Sequence, residues 1–230
     1  MDGATVCVNE YGFYCVPDIY AKREVPKILA AGEVYEPKTL KLICQSAANG
    51  DVISGGAFVG DFLPAISRAL PGKRRLYTFE PNPLSYNAAL HTIALNGLEN
   101  VILDPRAVGA APATLNLQID RPSGEAAAAR ARIVDDPDDG VTVPVEVTTL
   151  DDMIPKARQI AVLHLDIEGH ELPALQGAGR IISESRPLIV LEAEKAWQAR
   201  DLLDQINMMY PKAPYQLAGQ MERNAFFLPA

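Results

Sequence analysis

Residues 51–61 read Asp-Val-Ile-Ser-Gly-Gly-Ala-Phe-Val-Gly-Asp. The apolar start of this stretch predicts a short buried strand, and the glycines that follow predict a turn in which the backbone can approach a ligand closely. Apolar residues then recur at helical spacing over 62–70, up to the helix-ending pair Pro71-Gly72. A strand, a glycine-rich loop and a helix in this order are typical of α/β proteins that bind nucleotide-like ligands at the loop.

The same alternation of strands and helices continues beyond this stretch. The predicted strands cover 75–79, 100–103, 113–119, 141–147, 161–166 and 188–192, and the predicted helices cover 84–95, 171–183 (interrupted at 177–179) and 196–209. Two last β runs, 215–218 and 225–228, have no helix between them and must pair as antiparallel neighbours. The pattern predicts an α/β, Rossmann-like class I methyltransferase fold: a mostly parallel seven-stranded sheet, helices on both faces and a C-terminal antiparallel hairpin.

The chain is predicted to have two parts. Residues 48–230 form the domain that contains the sheet, and residues 1–47 form an N-terminal appendage that could cap the cleft, pair subunits in a homo-oligomer or simply pack on the domain. Within the main domain, 121–140 is a candidate for a mobile lid, because long loops of compact domains are often functional or disordered, and the sequence does not decide between the two. Inside that stretch, 125–132 reads as helical and the acidic run 135–139 as a solvated turn.

Composition and charge exclude several classes of protein. The chain has 230 residues and a formal net charge of −8, and its sequence pI of about 4.9 argues against nucleic acid as the main partner. No apolar run is long enough for a secretory core or a membrane span, which predicts a soluble, cytoplasmic protein. The three cysteines, Cys7, Cys15 and Cys44, fit neither a disulfide framework nor a zinc site and are predicted to be free.

The glycine loop departs from the dinucleotide-binding pattern G-x-G-x-x-G. Counting back from Gly60, the required middle glycine is Ala57, and Asp61 at the mouth of the helix would repel a pyrophosphate. S-adenosylmethionine, a zwitterionic amino acid with a sulfonium charge, would not be repelled. Glu80 lies 20 residues beyond Gly60, at a strand end where a carboxylate accepts hydrogen bonds from ribose hydroxyls. The predicted cofactor-binding residues are Ser54, Gly55, Gly56, Ala57, Phe58, Gly60, Asp61, Glu80, Pro81, Asn82 and Asp166.

The alternative interpretation of this region is a plain strand-to-helix turn followed by an exposed glutamate. Residues 80–83, Glu-Pro-Asn-Pro, argue against it, because two prolines around one asparagine fix a rigid turn where the edge of a cofactor would lie.

The densest group of ionisable residues, 164–171, reads His-Leu-Asp-Ile-Glu-Gly-His-Glu and follows a predicted central strand. Methyl transfer to an alcohol needs a base or a metal ion, because a free alcohol keeps its proton at neutral pH. Asp166, Glu168 and His170 are the predicted catalytic residues, and His170 is the more suitable base near neutral pH. If a divalent metal is present, Asp166 and Glu168 are its predicted ligands. His164 also reads as a core side chain, and Glu171 as a helix-start carboxylate.

Taken together, these motifs resemble the FkbM-type methyltransferases, which depend on S-adenosylmethionine. The resemblance implies that the glycine loop and Glu80 hold the cofactor and that 166–171 borders the reaction site. Two positions depart from the family pattern: Ser54 stands where an aspartate is common, and His164 where a lysine is common. The matching stretches, in order, are Gly-Ala-Phe-Val-Gly at 56–60, Phe-Glu-Pro-Asn-Pro at 79–83, Leu-Asn-Gly-Leu at 95–98, Thr-Leu-Asp-Asp at 149–152, Leu-Asp-Ile-Glu-Gly-His-Glu at 165–171, Arg186-Pro187 and Glu192.

The sequence therefore favours an S-adenosylmethionine-dependent O-methyltransferase. The acceptor would be a hydroxyl of a small molecule or glycan, since members of the family that the motifs resemble methylate sugars, glycolipids and polyketides. Two alternatives stay open at this point: an NAD-dependent oxidoreductase, which Ala57 and the terminal hairpin disfavour, and a non-catalytic cofactor-binding module, which the departures at Ser54 and His164 leave open.

Overall fold

The computed structural model describes residues 3–119, 132–134 (backbone only) and 141–230. The helices are α1 (Glu24–Ala30), α2 (Pro37–Ser46), α3 (Leu63–Ala69), α4 (Pro83–Asn96), α5 (Leu150–Met153), α6 (Glu171–Gln176), α7 (Gly179–Ser185) and α8 (Ala196–Met209). The strands are β1 (Ala4–Asn9), β2 (Gly12–Pro17), β3 (Asp51–Gly55), β4 (Leu76–Phe79), β5 (Val101–Asp104), β6 (Ala107–Val108), β7 (Ala113–Gln118), β8 (Arg132–Val134), β9 (Thr142–Thr148), β10 (Ile160–Leu165), β11 (Leu188–Glu192), β12 (Tyr215–Met221) and β13 (Asn224–Pro229).

A seven-stranded sheet in the order β12-β13-β11-β10-β3-β4-β5 forms the centre of an α/β fold. The five strands from β11 to β5 are parallel to their neighbours, whereas β13 is antiparallel to both β11 and β12. The C-terminal pair is thus the antiparallel hairpin that the sequence predicts. The sheet is mixed, so the prediction of a mostly parallel sheet is only partly matched.

Two smaller sheets add to this difference. β1 and β2 form an antiparallel hairpin, and β6-β9-β7-β8 form a four-stranded sheet in which only the β6–β9 pair is parallel. Sequence alternation indicated the strands at β7 and β9, but it carries no information about which strand pairs with which, because that depends on non-local contacts. The four-stranded sheet was therefore not predicted.

The central strands are buried on both faces, and this explains their continuous apolar sequences. In β3, Val52 packs into one core and Ile53 into another, since successive side chains point to opposite faces. The Val52 core takes its helical side chains from α2, α3 and α4, and the Ile53 core takes them from α5, α6, α7 and α8. Helices therefore cover both faces of the sheet.

The chain runs outward from β3 in two directions. β4 and β5 follow on one side of β3, and β10 and β11 lie on the other. Ligands of open α/β sheets bind at such a switch point, beyond the carboxyl ends of the strands. The loops that follow β3, β4 and β10 accordingly meet at one edge.

The N-terminal residues pack on this sheet domain. The backbone N–H of Cys15 in β2 donates to Thr92 Oγ1 in α4 at 3.0 Å, and the amide of Asn96 bonds to the backbone of Phe13. Leu40 and Ile43 of α2 are buried in the core on the Val52 face. The division of the chain at residue 47, and a role of residues 1–47 in capping or subunit pairing, stay predictions.

Several other predictions concern single elements. None of the three cysteines forms a disulfide, in agreement with the sequence. Within the described part of the chain, no helix is long and apolar enough to cross a membrane. The helix predicted at 125–132, the acidic turn at 135–139 and the lid at 121–140 lie outside the described residues, apart from the backbone of β8.

Candidate functional site

A cleft of about 320 Å³ lies at the carboxyl ends of β3, β4, β10 and β11. From the glycine loop and the turn after β4 it is lined by Gly56, Phe58, Asp61, Glu80 and Pro81. From the segment after β10 it is lined by Asp166, Glu168 and His170. The structure thus brings most of the predicted cofactor-binding residues and all of the predicted catalytic residues to one cavity.

The glycine loop lies directly on the end of β10. Gly56 has φ +79°, and a Cβ atom at this position would stand 2.0 Å from the carbonyl oxygen of Asp166. No side chain fits there, so residue 56 must be glycine for two separate reasons. Phe58, with φ +46°, also takes a left-handed conformation that is uncommon for a bulky residue. Backbone therefore packs against backbone here, and Gly56 lines a part of the cleft that we call the groove.

Glu80 connects the glycine loop to the turn after β4. Its Oε2 accepts a hydrogen bond from the Phe58 N–H at 2.8 Å, and its Oε1 accepts one from the Asn82 N–H at 2.9 Å. The side chain is 8% exposed, and burial raises its pKa to about 7. Each carboxylate oxygen has a second lone pair, so the group can accept further hydrogen bonds from a ligand.

Asn82 acts on the next helix and lies outside the cleft lining. Its side-chain oxygen accepts from the backbone N–H of Leu84 at 3.0 Å and so caps the N-terminus of α4, whose first residue is Pro83. The cap and the two prolines explain why the turn that carries Glu80 is rigid.

Carboxyl groups dominate the electrostatics of the cleft. Burial, with the nearby Glu36 adding to it, raises the pKa of Asp61 to about 7. Burial and then the charges of Glu192 and Glu168 raise the pKa of Asp166 well above its ordinary range. These groups repel one another, so the cleft favours a ligand that carries positive charge or hydrogen-bond donors.

His170 lines the cleft from the segment between β10 and α6. The ring is half-buried, and burial lowers its pKa, so the imidazole is neutral at pH 7 and able to accept a proton. The ring packs by Gly109, where an added Cβ would come within 3.3 Å of Nε2. Glu168 is exposed and has φ +55°.

Glu171 has a local role in this turn. One of its carboxylate oxygens, Oε1, accepts from the N–H groups of Ile167 and Gly169, both at 3.1 Å. It therefore shapes the loop between β10 and α6, in keeping with the reading of a helix-start carboxylate.

Some predicted residues lie behind the cleft rather than on its surface. Ser54 bonds to Nδ1 of His164 at 3.0 Å across the β3–β10 pair, and Phe62 stacks on the imidazole. Burial lowers the pKa of His164 to about 4, so this histidine is a neutral core side chain. The predicted residues outside the cleft lining are Ser54, Gly55, Ala57, Gly60 and Asn82.

Other lining residues were not predicted from the sequence. Arg23, Glu24 and Tyr35 come from the N-terminal part, and Arg223 comes from the turn between β12 and β13. Glu192, named only within the family resemblance, is also part of the lining. Nothing local in the sequence indicates that these distant positions meet at one cavity.

The described residues offer no support for the metal site. Nowhere in 3–119 or 141–230 do three or more His, Cys, Asp or Glu side chains come together in a way that would hold an ion. Asp166 and Glu168 as metal ligands stay a prediction without structural support.

Comparisons with known proteins identify the family. A model of the methyltransferase FkbM domain matches residues 52–217. Among solved structures, methyltransferase FkbM from Methylobacillus flagellatus KT has a TM-score of 0.54 at 21% identity, over 78% of this chain and 43% of that one. No curated protein matches the chain.

Two further structures share the fold at low identity. M. jannaschii TYW2, in complex with AdoMet, has a TM-score of 0.55 at 12% identity and covers 100% of this chain and 88% of its own. A putative rRNA-methylase from Clostridium thermocellum has a TM-score of 0.51 at 9% identity, over 86% and 96%. This chain spans less than half of the length of the Methylobacillus protein. The family match over residues 52–217 decides the assignment: the chain belongs to the FkbM family of methyltransferases.

Proposed function

We propose that this protein is an S-adenosylmethionine-dependent O-methyltransferase that methylates a hydroxyl group of a small molecule or glycan. The observation that carries the proposal is the position of Glu80. Its carboxyl group lies at the end of β4, faces the cleft and is held by N–H groups from both sides of the groove. A carboxylate at this place is suited to accept hydrogen bonds from the two ribose hydroxyls of the cofactor.

The residues present fit S-adenosylmethionine. Gly56 lines the cleft, and its contact with the carbonyl of Asp166 brings the glycine loop and the end of β10 together at the proposed cofactor site. The carboxyl groups of Asp61 and Asp166 suit the ammonium and sulfonium charges of the cofactor. A pyrophosphate would be repelled by the same carboxyl groups. The family match likewise favours methyl transfer over the NAD-dependent alternative.

The protein would contribute orientation and proton removal to the reaction. When bound, S-adenosylmethionine supplies an electrophilic methyl carbon on a sulfonium. His170, neutral at pH 7 and on the cleft wall, would accept the proton of the acceptor hydroxyl as the oxygen attacks. Asp166, at the end of β10, would hold the acceptor or cofactor in line by accepting hydrogen bonds.

The cleft chemistry supports a small or glycan acceptor over RNA. A cavity of about 320 Å³ is of the size that small ligands fill. Its lining carries six carboxyl side chains, among them Glu168 and Glu192 near the proposed point of transfer. Against these it has two arginines, Arg23 and Arg223, so the balance of charge disfavours a phosphodiester. The net charge of −8 points the same way.

The test is a screen of acceptors with methyl-labelled S-adenosylmethionine. The panel contains methyl glycosides, hydroxylated aglycones and, as a contrasting class, a structured RNA. We expect label transfer and release of S-adenosylhomocysteine with at least one hydroxylated small molecule, and none with RNA. Cofactor binding without transfer to any acceptor would support the non-catalytic module instead, and label on RNA alone would overturn the proposed acceptor class.

A further inference from the structure

The cleft has a wall that lies outside the matched family domain. We call it the N-terminal wall; it consists of Arg23, Glu24, Val25 and Tyr35. The family match begins at residue 52 and ends at residue 217, so these residues precede it, and the turn that carries Arg223 follows it. The N-terminal wall and the turn with Arg223 both line the cavity together with Glu168 and Glu192, which the proposed function puts near the point of methyl transfer. The contacts between the wall and the turn therefore affect how a methyl acceptor binds.

The turn between β12 and β13 is anchored on both sides of Arg223. The carboxylate of Glu222 accepts from the N–H groups of Lys38 and Thr39, at 3.2 and 2.8 Å, and so caps the N-terminus of α2 from a distant part of the chain. Asn224 Nδ2 donates to Glu36 Oε2 at 2.6 Å. These bonds fix the backbone of the turn against the start of α2.

Arg223 itself connects three carboxylates. Its guanidinium lies 3.4 Å from Glu24 Oε2, 3.2 Å from Glu192 Oε1 and 2.8 Å from Glu194 Oε1. Its backbone oxygen accepts from the Ala193 N–H at 2.7 Å. One cation thus joins the N-terminal wall to the end of β11.

The position of this cation carries a cost that folding alone does not explain. The Nε atom of Arg223 is buried and makes no hydrogen bond within the described part of the chain. A buried donor without a partner lowers stability, and such groups call for a reason other than packing. Glu192, which Arg223 contacts, provides such a reason. It lines the cleft at the end of β11, which pairs with β10, and Asp166 follows β10 directly.

We propose that Arg223 is a positioning residue for the methyl acceptor: it fixes Glu192 at the acceptor side of the cleft and ties the N-terminal wall to the sheet. Without the guanidinium, Glu24, Glu192 and Glu194 would repel one another, and the wall would separate from β11. This inference rests on the proposed function, because it needs an acceptor in the cleft. Among the described residues, the ion pairs of Arg223 involve Glu24, Glu192 and Glu194 and not Glu80 or the glycine loop, the residues proposed to hold the cofactor.

The experiment compares the wild type with Arg223→Gln, Arg223→Lys and the matched control Arg200→Gln, which removes one positive charge from an exposed site on α8. The probes are S-adenosylmethionine, with its Kd measured calorimetrically, and methyl α-D-glucoside, methyl α-D-galactoside and methyl α-L-rhamnoside as acceptors. For any glycoside methylated, Arg223→Gln should raise KM by about tenfold or more, because charge-assisted bonds are lost. The Kd of S-adenosylmethionine should stay within about twofold, and Arg223→Lys should recover part of the acceptor KM.

A second measurement does not depend on any acceptor. Hydrogen exchange of the intact protein, without cofactor, should be faster over residues 23–35 in Arg223→Gln and unchanged in Arg200→Gln. Glu24→Gln, a change at a mostly exposed side chain, should reproduce this effect if Arg223→Gln folds poorly.

These measurements separate the inference from the proposed function. If the wild type fails to bind S-adenosylmethionine, the proposed function fails, and the exchange data still decide whether Arg223 ties the wall. If the cofactor binds normally, an unchanged acceptor KM in Arg223→Gln overturns the inference alone. Unchanged exchange over 23–35 in both Arg223→Gln and Glu24→Gln overturns it as well, as does an equal rise in acceptor KM and cofactor Kd.

Discussion

Among single residues, two buried carboxyl groups are expected to link cofactor binding to pH. Burial raises the pKa values of Glu80 and Asp61 to about 7, so both groups hold protons more tightly in the folded chain than in the unfolded chain. The free protein is destabilised increasingly as these groups ionise on raising the pH. A cofactor that offers ribose hydroxyls and cationic groups favours the ionised form instead.

The sign of the resulting pH dependence follows from linkage. Because the folded-state pKa values lie above the unfolded ones, the free protein should lose stability as the pH rises from their ordinary values, 4.5 and 3.8, through about 7. S-adenosylmethionine should bind more tightly over the same rise. Thermal unfolding at pH 5.5, 6.5 and 7.5 should show a cofactor-induced increase in Tm that grows with pH. An increase that shrinks with pH would contradict the role given to these carboxyl groups.

His170 supplies a test of the proposed proton acceptor. Replacing it with alanine should lower kcat by about 100-fold or more, since a positioned base contributes at least that much in many enzymes. The Kd of S-adenosylmethionine should not change. The matched control is His91→Ala, at an exposed position of α4. Release of S-adenosylhomocysteine measures the kcat of both variants. Full turnover by His170→Ala would remove this residue from the base role.

The residues of the cleft differ in how far the sequence could predict them. Glu80 was found because its distance from the glycine loop and its place after a strand are local features. Arg223 carries no local sequence signal, because its partners Glu24 and Glu192 are distant in the chain and come close to it only in the folded structure. Ser54 was expected at the cofactor, but its strand pairing brings its hydroxyl to His164.

At the scale of elements, the glycine loop contains a position at which no side chain is tolerated. Gly56 combines a positive φ with contact to the carbonyl of Asp166, whereas Gly72, with φ +60°, has open space around the place that a Cβ atom would take. Alanine substitutions at the two glycines therefore distinguish the effect of backbone strain from that of a steric collision. The same loop forms the floor of the proposed cofactor groove.

We expect Gly56→Ala to lower the free energy of unfolding by about 2 kcal/mol or more and to abolish S-adenosylmethionine binding. The control Gly72→Ala carries only the strain of a left-handed residue, about 1 kcal/mol, and should bind the cofactor normally. Chemical denaturation and calorimetry measure the two effects. Normal cofactor binding by Gly56→Ala would show that the groove is not where the ligand lies.

Local sequence signals predict most of the helices and strands. They do not predict how distant strands pair. Thr149 accepts from the Asp152 N–H at 3.0 Å and so caps the N-terminus of α5, an interaction between residues close in the sequence. The helix predicted at 171–183, with an interruption at 177–179, is divided there into α6 and α7. Gly177 lies against the carbonyl of Gly109, where a Cβ would stand 2.1 Å away. The four-stranded sheet around β9 was missed, since alternation shows that a strand exists but not which strands pair.

For the whole molecule, the two ends of the central parallel strands, which we call the carboxyl edge and the opposite edge of the sheet, have different roles. The carboxyl edge holds the cleft and its repelling carboxyl groups. At the opposite edge, Asp51 at the start of β3 is fully buried and is bonded by the guanidinium of Arg158, with one bond of 2.6 Å. The Asp51 carboxylate also accepts from the Arg75 N–H at 3.0 Å. This buried ion pair thus lies at the end of the sheet where no ligand is proposed to bind.

Removing this ion pair should affect stability and not binding. Arg158→Met should lower the free energy of unfolding by about 3 kcal/mol, because it leaves a buried carboxylate without its cation. The control Arg106→Met breaks the more exposed pair with Asp104, at 2.7 Å, and should cost less than about 1 kcal/mol. Urea unfolding measures both. A weaker affinity of folded Arg158→Met for S-adenosylmethionine would contradict the separation of the two edges.

The most direct test of the central claim is a calorimetric titration of the intact protein with S-adenosylmethionine and, separately, with NAD. We predict one S-adenosylmethionine site per chain and no binding of NAD. Glu80→Gln should weaken the S-adenosylmethionine site by about tenfold or more, because a charge-assisted hydrogen bond is worth roughly 1.5–3 kcal/mol. The exposed control Glu99→Gln should leave the affinity unchanged. Absence of S-adenosylmethionine binding, or an affinity that Glu80→Gln does not alter, would contradict the account.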